Sequence, residues 1–139
     1  MTTGTHGSTF GANPLAMAVG NAVLDLVLAP EFLEKVRRSA ILFRQRLAEI
    51  RDRHPGVIAE VRGEGLLLGL LAVCPNGELV DALRSEKLLA VAAGDNVVRM
   101  LPPLIIDEPE IAEAIHRIDS AAARIEFNQR ERVAAGAKP

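Results

Sequence analysis

The stretch from Val57 to Val73 constrains the fold of this chain more than any other. It reads VIAEVRGEGLLLGLLAV, and glycines interrupt it at positions 63, 65 and 69. Aliphatic and β-branched residues favour extended chain, whereas a glycine inside such a run marks a bulge or a tight bend. We therefore predict short extended segments joined by a bend, which favours a small, largely antiparallel sheet over a doubly wound parallel one.

Helical patterns flank this stretch on both sides. Asn13-Pro14 supplies a cap and a first helical residue, and apolar residues then recur at three- and four-residue steps. The predicted helices cover Pro14 to Leu28, Glu31 to the break at His54-Pro55-Gly56, about Glu78 to Glu86, and the segment after a cap at Asp107. Two further short strands are predicted around the turn Gly94-Asp95-Asn96. The pattern indicates an α/β chain, more closely an α+β small domain, with helices covering the sheet.

The composition excludes several classes of function. A length of 139 residues allows about one small domain, and the formal net charge of -2 has both signs mixed along the chain. We therefore expect no nucleic-acid partner and no membrane attachment. Cys74 is the single cysteine, which excludes an intrachain disulfide and a cysteine-based zinc site and favours a reducing compartment, the cytoplasm.

The segment GTHGSTFGANP, from Gly4 to Pro14, is rich in glycine and hydroxyl side chains. Hydroxyls at Ser8 and Thr9, beside backbone N–H groups made accessible by glycine, suit an anion such as a phosphate. The segment lacks the Gly-Lys-Ser/Thr of a P-loop, so a turn that simply caps the next helix is the alternative. His6 has no second ligand at metal spacing, and we predict no metal site.

Arg99 lies inside an apolar strand pattern, VVRML. Strand alternation allows its guanidinium to enter a cleft, where arginine binds carboxylates by two parallel hydrogen bonds. The alternative is an arginine on the solvated face of an edge strand. No Ser/His/Asp or Cys/His arrangement is recognisable in the sequence.

Three segments together resemble a known family. GTHGSTFGANPLAMAVGNAVLD, EVRGEGLLLGL and GDNVVRMLPPLII, in this order, are similar to the C-terminal portion of class III pyridoxal-phosphate-dependent aminotransferases of the acetylornithine/ornithine branch. The resemblance runs from Gly4 to about Arg124 and implies the C-terminal domain of the fold-type I PLP-dependent transferase fold. It implies a cofactor and substrate loop at 1–12, an interdomain helix at 13–29, a small domain at 30–127 and a frayed tail at 128–139.

The resemblance also implies an activity. Such enzymes transfer an amino group from N-acetylornithine to 2-oxoglutarate in arginine biosynthesis, as cytoplasmic homodimers with pyridoxal 5'-phosphate. Ornithine, N-succinylornithine and other ω-amines are alternative donors. By the same resemblance, Thr9 would reach the phosphate of the partner subunit's cofactor, Ser8 would lie near the substrate, and Arg99 would bind the substrate α-carboxylate.

The chain departs from the family pattern because a segment of that pattern is missing from it. The lysine that forms a Schiff base with the cofactor belongs to a segment absent here, and Lys35, Lys87 and Lys138 stand elsewhere. We assign no catalytic residue and expect the chain alone to be catalytically incomplete. The alternatives are a non-catalytic binding module that pairs with a full-length aminotransferase subunit, and an unrelated anion-binding domain. Ala12 replaces a family glycine and would cost about 1 kcal/mol if its φ is positive.

Overall fold

The structure, a computed structural model, describes residues 7–136. Within them the chain forms four helices and four strands: α1 (Pro14–Val27), α2 (Pro30–Arg53), β1 (Ile58–Glu64), β2 (Leu67–Ala72), α3 (Asn76–Ser85), β3 (Val91–Ala92), β4 (Val97–Met100) and α4 (Glu108–Ala134). The chain divides after Lys35 into a first and a second compact unit. Every predicted helix and strand is present, and the differences lie at their ends.

Helix α1 belongs to the first unit and begins as the sequence predicts. The Asn13 side chain accepts a hydrogen bond from the Ala16 N–H at 2.9 Å and donates one to the Phe10 carbonyl at 2.7 Å. Pro14 is the first helical residue, where a missing N–H costs nothing. No residue of α1 is buried, although the helix carries a single charged side chain, Asp25.

Helix α2 begins at Pro30, one position before the predicted start, because proline is tolerated there as at Pro14. The helix ends where the sequence predicts, and the His54 N–H still bonds to the Ile50 carbonyl at 2.9 Å. Its buried face includes Phe43 and Leu47.

The sheet lies in the second unit and has the order β1-β2-β4-β3, with every neighbouring pair antiparallel. The expected small antiparallel sheet is therefore confirmed. Gly63 at φ 112° and Gly65 at φ 55° form the bend between β1 and β2. A Cβ at Gly63 would overlap the carbonyl oxygen of Leu67, so this position requires glycine.

The last two helices are longer than the sequence indicates. Helix α3 starts at Asn76, just after Pro75, instead of at about Glu78. Asp107 forms a capping box with Glu110 at the start of α4, as its predicted cap role requires. Helix α4 then continues to Ala134, past the boundary at 127, because no glycine or proline occurs between Pro109 and Gly136. Residues 128–134 of the predicted frayed tail are thus helical, and 137–139 lie outside the described residues.

The two faces of the sheet differ in what covers them. Leu68, Leu70, Val98 and Met100 point to one face and are buried. They share one apolar cluster with side chains of the helices, among them Phe43, Leu47, Leu79, Leu83, Ile111 and Ile118. The register places Arg62, Gly69, Arg99 and Val91 in one row across the other face. Gly69 is buried, but the other three residues of the row are exposed, and we call this the open face.

Candidate functional site

Ser8 and Thr9 lie in an exposed turn just before α1. The Ser8 carbonyl accepts a hydrogen bond from the Gly11 N–H at 3.2 Å, which closes the turn. Neither hydroxyl is hydrogen-bonded to another residue that the structure describes, so both are available as donors to a ligand. Gly4, Thr5 and His6 of the predicted loop fall outside the described residues.

Ala12 has φ 58°, in the left-handed region. The cost predicted for a positive φ at this position therefore applies. An alanine in this conformation costs about 1 kcal/mol relative to glycine. The turn that carries Ser8 and Thr9 therefore connects to the Asn13 cap through a strained residue.

Arg99 projects from the open face of the sheet, in strand β4. It is exposed and has no hydrogen bond or ion pair with another residue in the described part of the chain. The alternative is wrong about the edge strand, because β4 lies between β2 and β3, but the arginine is exposed as that alternative states. Arg99 stands directly opposite Gly69 on one side and Val91 on the other. Its backbone is held by strands on both sides, and its guanidinium has no partner among the described residues, so it can donate hydrogen bonds to a carboxylate.

Arg62 lies in the same row of the open face but differs from Arg99 in its pairing. Its Nε donates to Glu60 Oε2 at 2.7 Å. Glu60, Arg62 and Glu64 are all exposed, as the strand alternation predicts for a solvated face. Of these two arginines, Arg99 is the one whose charge is not neutralised by a neighbouring carboxylate.

The predicted site residues are divided between the two units. Ser8 and Thr9 belong to the first unit and Arg99 to the second. Among the lysines, Lys35 lies in α2, and Lys87 follows α3 at φ 61°; Lys138 is not among the described residues. No group of three or more His, Cys, Asp or Glu side chains suited to a metal ion occurs within residues 7–136.

His54 lies in a cluster of polar side chains that was not foreseen from the sequence. Its Nε2 lies 2.9 Å from Asp119 Oδ1 and its Nδ1 lies 3.3 Å from Glu126 Oε2. Arg53 also contacts Asp119, at 3.1 Å. Asp119 and Glu126 are two helical turns apart, which is the signal that places them on one face of α4. The cluster ties the end of α2 to α4 and is structural.

Cys74 has no nucleophilic role in this environment. The side chain is buried, and burial together with the nearby Glu78 carboxylate raises the pKa of the thiol. A raised pKa leaves the protonated, unreactive form at neutral pH.

The structure has the small antiparallel sheet covered by helices that the resemblance implies. The family described as aminotransferase class-III matches residues 1–122. The chain therefore belongs to the class III aminotransferase family.

Comparison with individual proteins is more specific than the family match. The chain is 60% identical over 129 residues to the acetylornithine aminotransferase of Agrobacterium fabrum, a match that covers 93% of this chain and 32% of that protein. It is 56% identical over 131 residues to acetylornithine aminotransferase 1 of Bradyrhizobium diazoefficiens, covering 94% of this chain and 32% of the relative. The chain thus spans about a third of the length of these relatives.

Solved structures agree with the fold. The acetylornithine aminotransferase of Elizabethkingia anophelis superposes with a TM-score of 0.75 at 33% identity, over 89% of this chain and 33% of that one. The ornithine aminotransferase of Toxoplasma gondii superposes with a TM-score of 0.78 at 30% identity, over 93% and 31% of the two chains. The chain adopts the fold of one part of these enzymes.

Within residues 7–136, no single helix is both long and apolar enough to cross a bilayer. Only α1 and α2 counted together, as a bent pair, reach that length and composition.

Proposed function

We propose that this chain is part of an acetylornithine aminotransferase, which transfers the amino group of N-acetylornithine to 2-oxoglutarate in arginine biosynthesis in the cytoplasm. The observation that carries the proposal is Arg99, an exposed and unpaired guanidinium on an interior strand. It is supported by 60% identity to a protein of that name.

Arg99 binds the α-carboxylate that the amino donor and 2-oxoglutarate share. Strands on both sides hold its backbone, so the point from which the side chain extends is fixed. A planar guanidinium donates two parallel hydrogen bonds to a carboxylate, which orients the ligand as well as holding it. Because both substrates carry this carboxylate, one residue serves both halves of an amino transfer.

The turn before α1 serves the cofactor. The Thr9 hydroxyl suits a phosphate oxygen, since it is exposed and not used by another described residue. Thr9 would donate to the phosphate of pyridoxal 5'-phosphate held by the second subunit of a homodimer, and Ser8 would lie near the substrate. When bound, pyridoxal 5'-phosphate supplies the electron sink that amino transfer requires.

The chain by itself is catalytically incomplete in this account. Lys35 lies in a helix and Lys87 at a helix end, and neither stands with Arg99 on the open face. An aminotransferase needs a proton-transferring amine beside the cofactor. A second function, a non-catalytic module that pairs with a full-length aminotransferase subunit, is favoured by the exposed apolar surface of α1.

Fragment complementation tests the proposal. The chain is mixed, with pyridoxal 5'-phosphate, with the part of the Agrobacterium fabrum relative that it does not match. We expect acetylornithine-dependent amino transfer with the wild-type chain, and a loss of about 100-fold or more with Arg99→Ala, because a charged hydrogen-bonding pair is removed. Arg62→Ala is the matched control and should keep the activity, since Arg62 is paired with Glu60.

Two results would contradict this proposal. If the relative's own C-terminal segment restores activity and the wild-type chain does not, the chain is a binding module and the proposed function is wrong. For the chain alone with pyridoxal 5'-phosphate, borohydride reduction and mass spectrometry should find no adduct above background. Saturable labelling of one lysine at micromolar cofactor would contradict the claim that the chain is incomplete.

A further inference from the structure

Strand β4, which carries Arg99, is short. It has four residues, and β3 pairs with two of them. The pairing of β4 with β2 ends at Met100. Pro102 and Pro103 follow soon after and have no backbone N–H to donate to a neighbouring strand. Further hydrogen bonds that hold β4 are found at its other end, in the turn of residues 93–97.

Asn96, the last residue before β4, uses both polar atoms of its side chain. Its Nδ2 donates to the carbonyls of Ala72 and Cys74, at 2.7 and 2.8 Å. Its Oδ1 accepts a hydrogen bond from the Asn76 N–H at 2.8 Å. The Asn96 carbonyl also accepts one from the Ala72 N–H, at 3.0 Å. The end of β2 and the start of α3 are thus both joined to the residue from which β4 begins.

Asn76, the first residue of α3, holds the same turn from the side of the helix. Its Nδ2 donates to the Ala93 carbonyl at 2.9 Å and to the Val97 carbonyl at 3.2 Å. Pro75 precedes it and makes no side-chain capping bond to α3. Asn96 therefore satisfies a backbone N–H at the start of the helix, and Asn76 in turn binds two carbonyls of the turn.

The apolar pattern of β4 does not by itself fix the position of the strand along β2. Val98 and Met100 are buried on the core side of the sheet. Because side chains alternate with a period of two, a shift by two residues would again point apolar residues, Met100 and Pro102, at the core. Such a shift would move Arg99 by about 7 Å. The hydrogen bonds of the two asparagines cannot form in the shifted register, so they distinguish it from the observed one.

We propose that Asn76 and Asn96 are positioning residues for the carboxylate that Arg99 binds: they fix β4 in the register that places the guanidinium where the ligand meets it. This inference rests on the proposed function of the chain. Neither asparagine contacts the ligand. Two parallel hydrogen bonds to a carboxylate require an accurately placed guanidinium, so a displaced β4 weakens them. Both substrates should be affected alike, because both carry the α-carboxylate.

Fragment complementation with the unmatched part of the Agrobacterium fabrum relative tests this, with the chain in saturating excess. Asn76→Ala removes the two hydrogen bonds to the turn carbonyls. Asn96→Gly removes the Asn96 side-chain bonds and keeps φ 58° without strain. Each variant should raise KM for N-acetylornithine and for 2-oxoglutarate about tenfold and change kcat by less than about twofold.

Ser39→Ala is the matched control. Ser39 Oγ donates to the Ile106 carbonyl at 3.2 Å and is buried, so this variant also loses a neutral side-chain-to-backbone bond of the second unit, outside β4 and its turn. It should leave both KM values within about twofold of the wild type. The concentration of chain that restores half of the activity is measured for each variant. A loss of stability alone changes that concentration and not KM at saturation.

The outcomes separate this inference from the proposed function. If folded Asn76→Ala and Asn96→Gly chains keep the wild-type KM values while Arg99→Ala loses activity, the asparagines do not position Arg99, and the role of Arg99 stands. If Ser39→Ala raises KM equally, the effect is a general loss of packing, and the inference is wrong. If the relative's own segment restores activity and the wild-type chain does not, the proposed function fails, and this inference fails with it. Thermal unfolding verifies that each variant is folded.

Discussion

Helix α1 and strand β2 are built from the same aliphatic residues but differ in what surrounds them. In β2, Leu68 and Leu70 are 2% and 0% exposed, inside the core of the second unit. In α1, Leu15, Val23 and Leu26 are 75%, 51% and 65% exposed. A helix that is apolar on most of its circumference is typical of an element buried on several sides. The second unit closes its own core, whereas α1 of the first unit presents an apolar surface suited to packing against a protein surface.

The largest expected effect comes from comparing one leucine in each region. Leu70→Ala removes a fully buried side chain and should lower the free energy of unfolding by about 2 to 5 kcal/mol. Leu24→Ala, at an exposed position of α1, should change it by less than about 0.5 kcal/mol. Urea unfolding followed by circular dichroism measures both. Equal losses of stability would mean that α1 belongs to the same cooperative core as β2, and would contradict the proposed difference between the two regions.

In the second unit, Asn96 stabilises the turn before β4. Asn96 Nδ2 donates to the carbonyls of Ala72 and Cys74 at 2.7 and 2.8 Å, and the residue has φ 58°. Asn96→Ala should cost about 1 to 3 kcal/mol, because it leaves two carbonyls unpaired and puts alanine in a left-handed conformation. Chemical denaturation gives the value.

The variant Asn96→Gly separates the cost of the lost hydrogen bonds from the cost of the left-handed backbone conformation. Glycine adopts the same φ without strain, so this variant should lose only the hydrogen bonds and should be more stable than Asn96→Ala. If the two variants are equally unstable, the backbone conformation contributes nothing at this position.

The third test concerns the surface of α1. Val19 and Val23 lie one turn apart on it and are about half exposed. We expect this exposed apolar surface to make the chain self-associate. The double variant Val19→Glu/Val23→Lys should weaken that self-association about tenfold or more, while the charged pair supports the helix. Sedimentation velocity over a range of concentrations measures it. Gln45→Lys, on the exposed side of α2, is the control, and an effect of similar size there would show that charge rather than lost apolar contact is responsible.

The smallest effect is expected at the turn before α1. Ala12→Gly should stabilise the first unit by about 1 kcal/mol, since glycine removes the strain of φ 58°. Slower amide exchange in the first turn of α1 would show it. Unchanged or faster exchange would contradict the left-handed conformation of Ala12.

Local features were predictable from the sequence, and features that depend on distant contacts were not. The Asn13 cap, the Asp107 cap and the bend at Gly63 are each determined by a few neighbouring residues, and the structure has all three. The interior position of β4 depends on which strands pair, so the sequence left Arg99 between two interpretations. The contacts of His54 depend on how α2 and α4 pack, and they could be foreseen only from the spacing of the two carboxylates on α4.

Hydrogen–deuterium exchange on the chain at a concentration too low for self-association tests the central claim most directly. Amide exchange reports how much free energy each segment needs to open. We expect the amides of β2, β4 and the buried half of α4 to exchange slowly, with protection close to the global stability, and those of α1 to exchange orders of magnitude faster. Protection of α1 equal to that of β2 in the monomer would contradict the claim that the second unit alone forms a closed core.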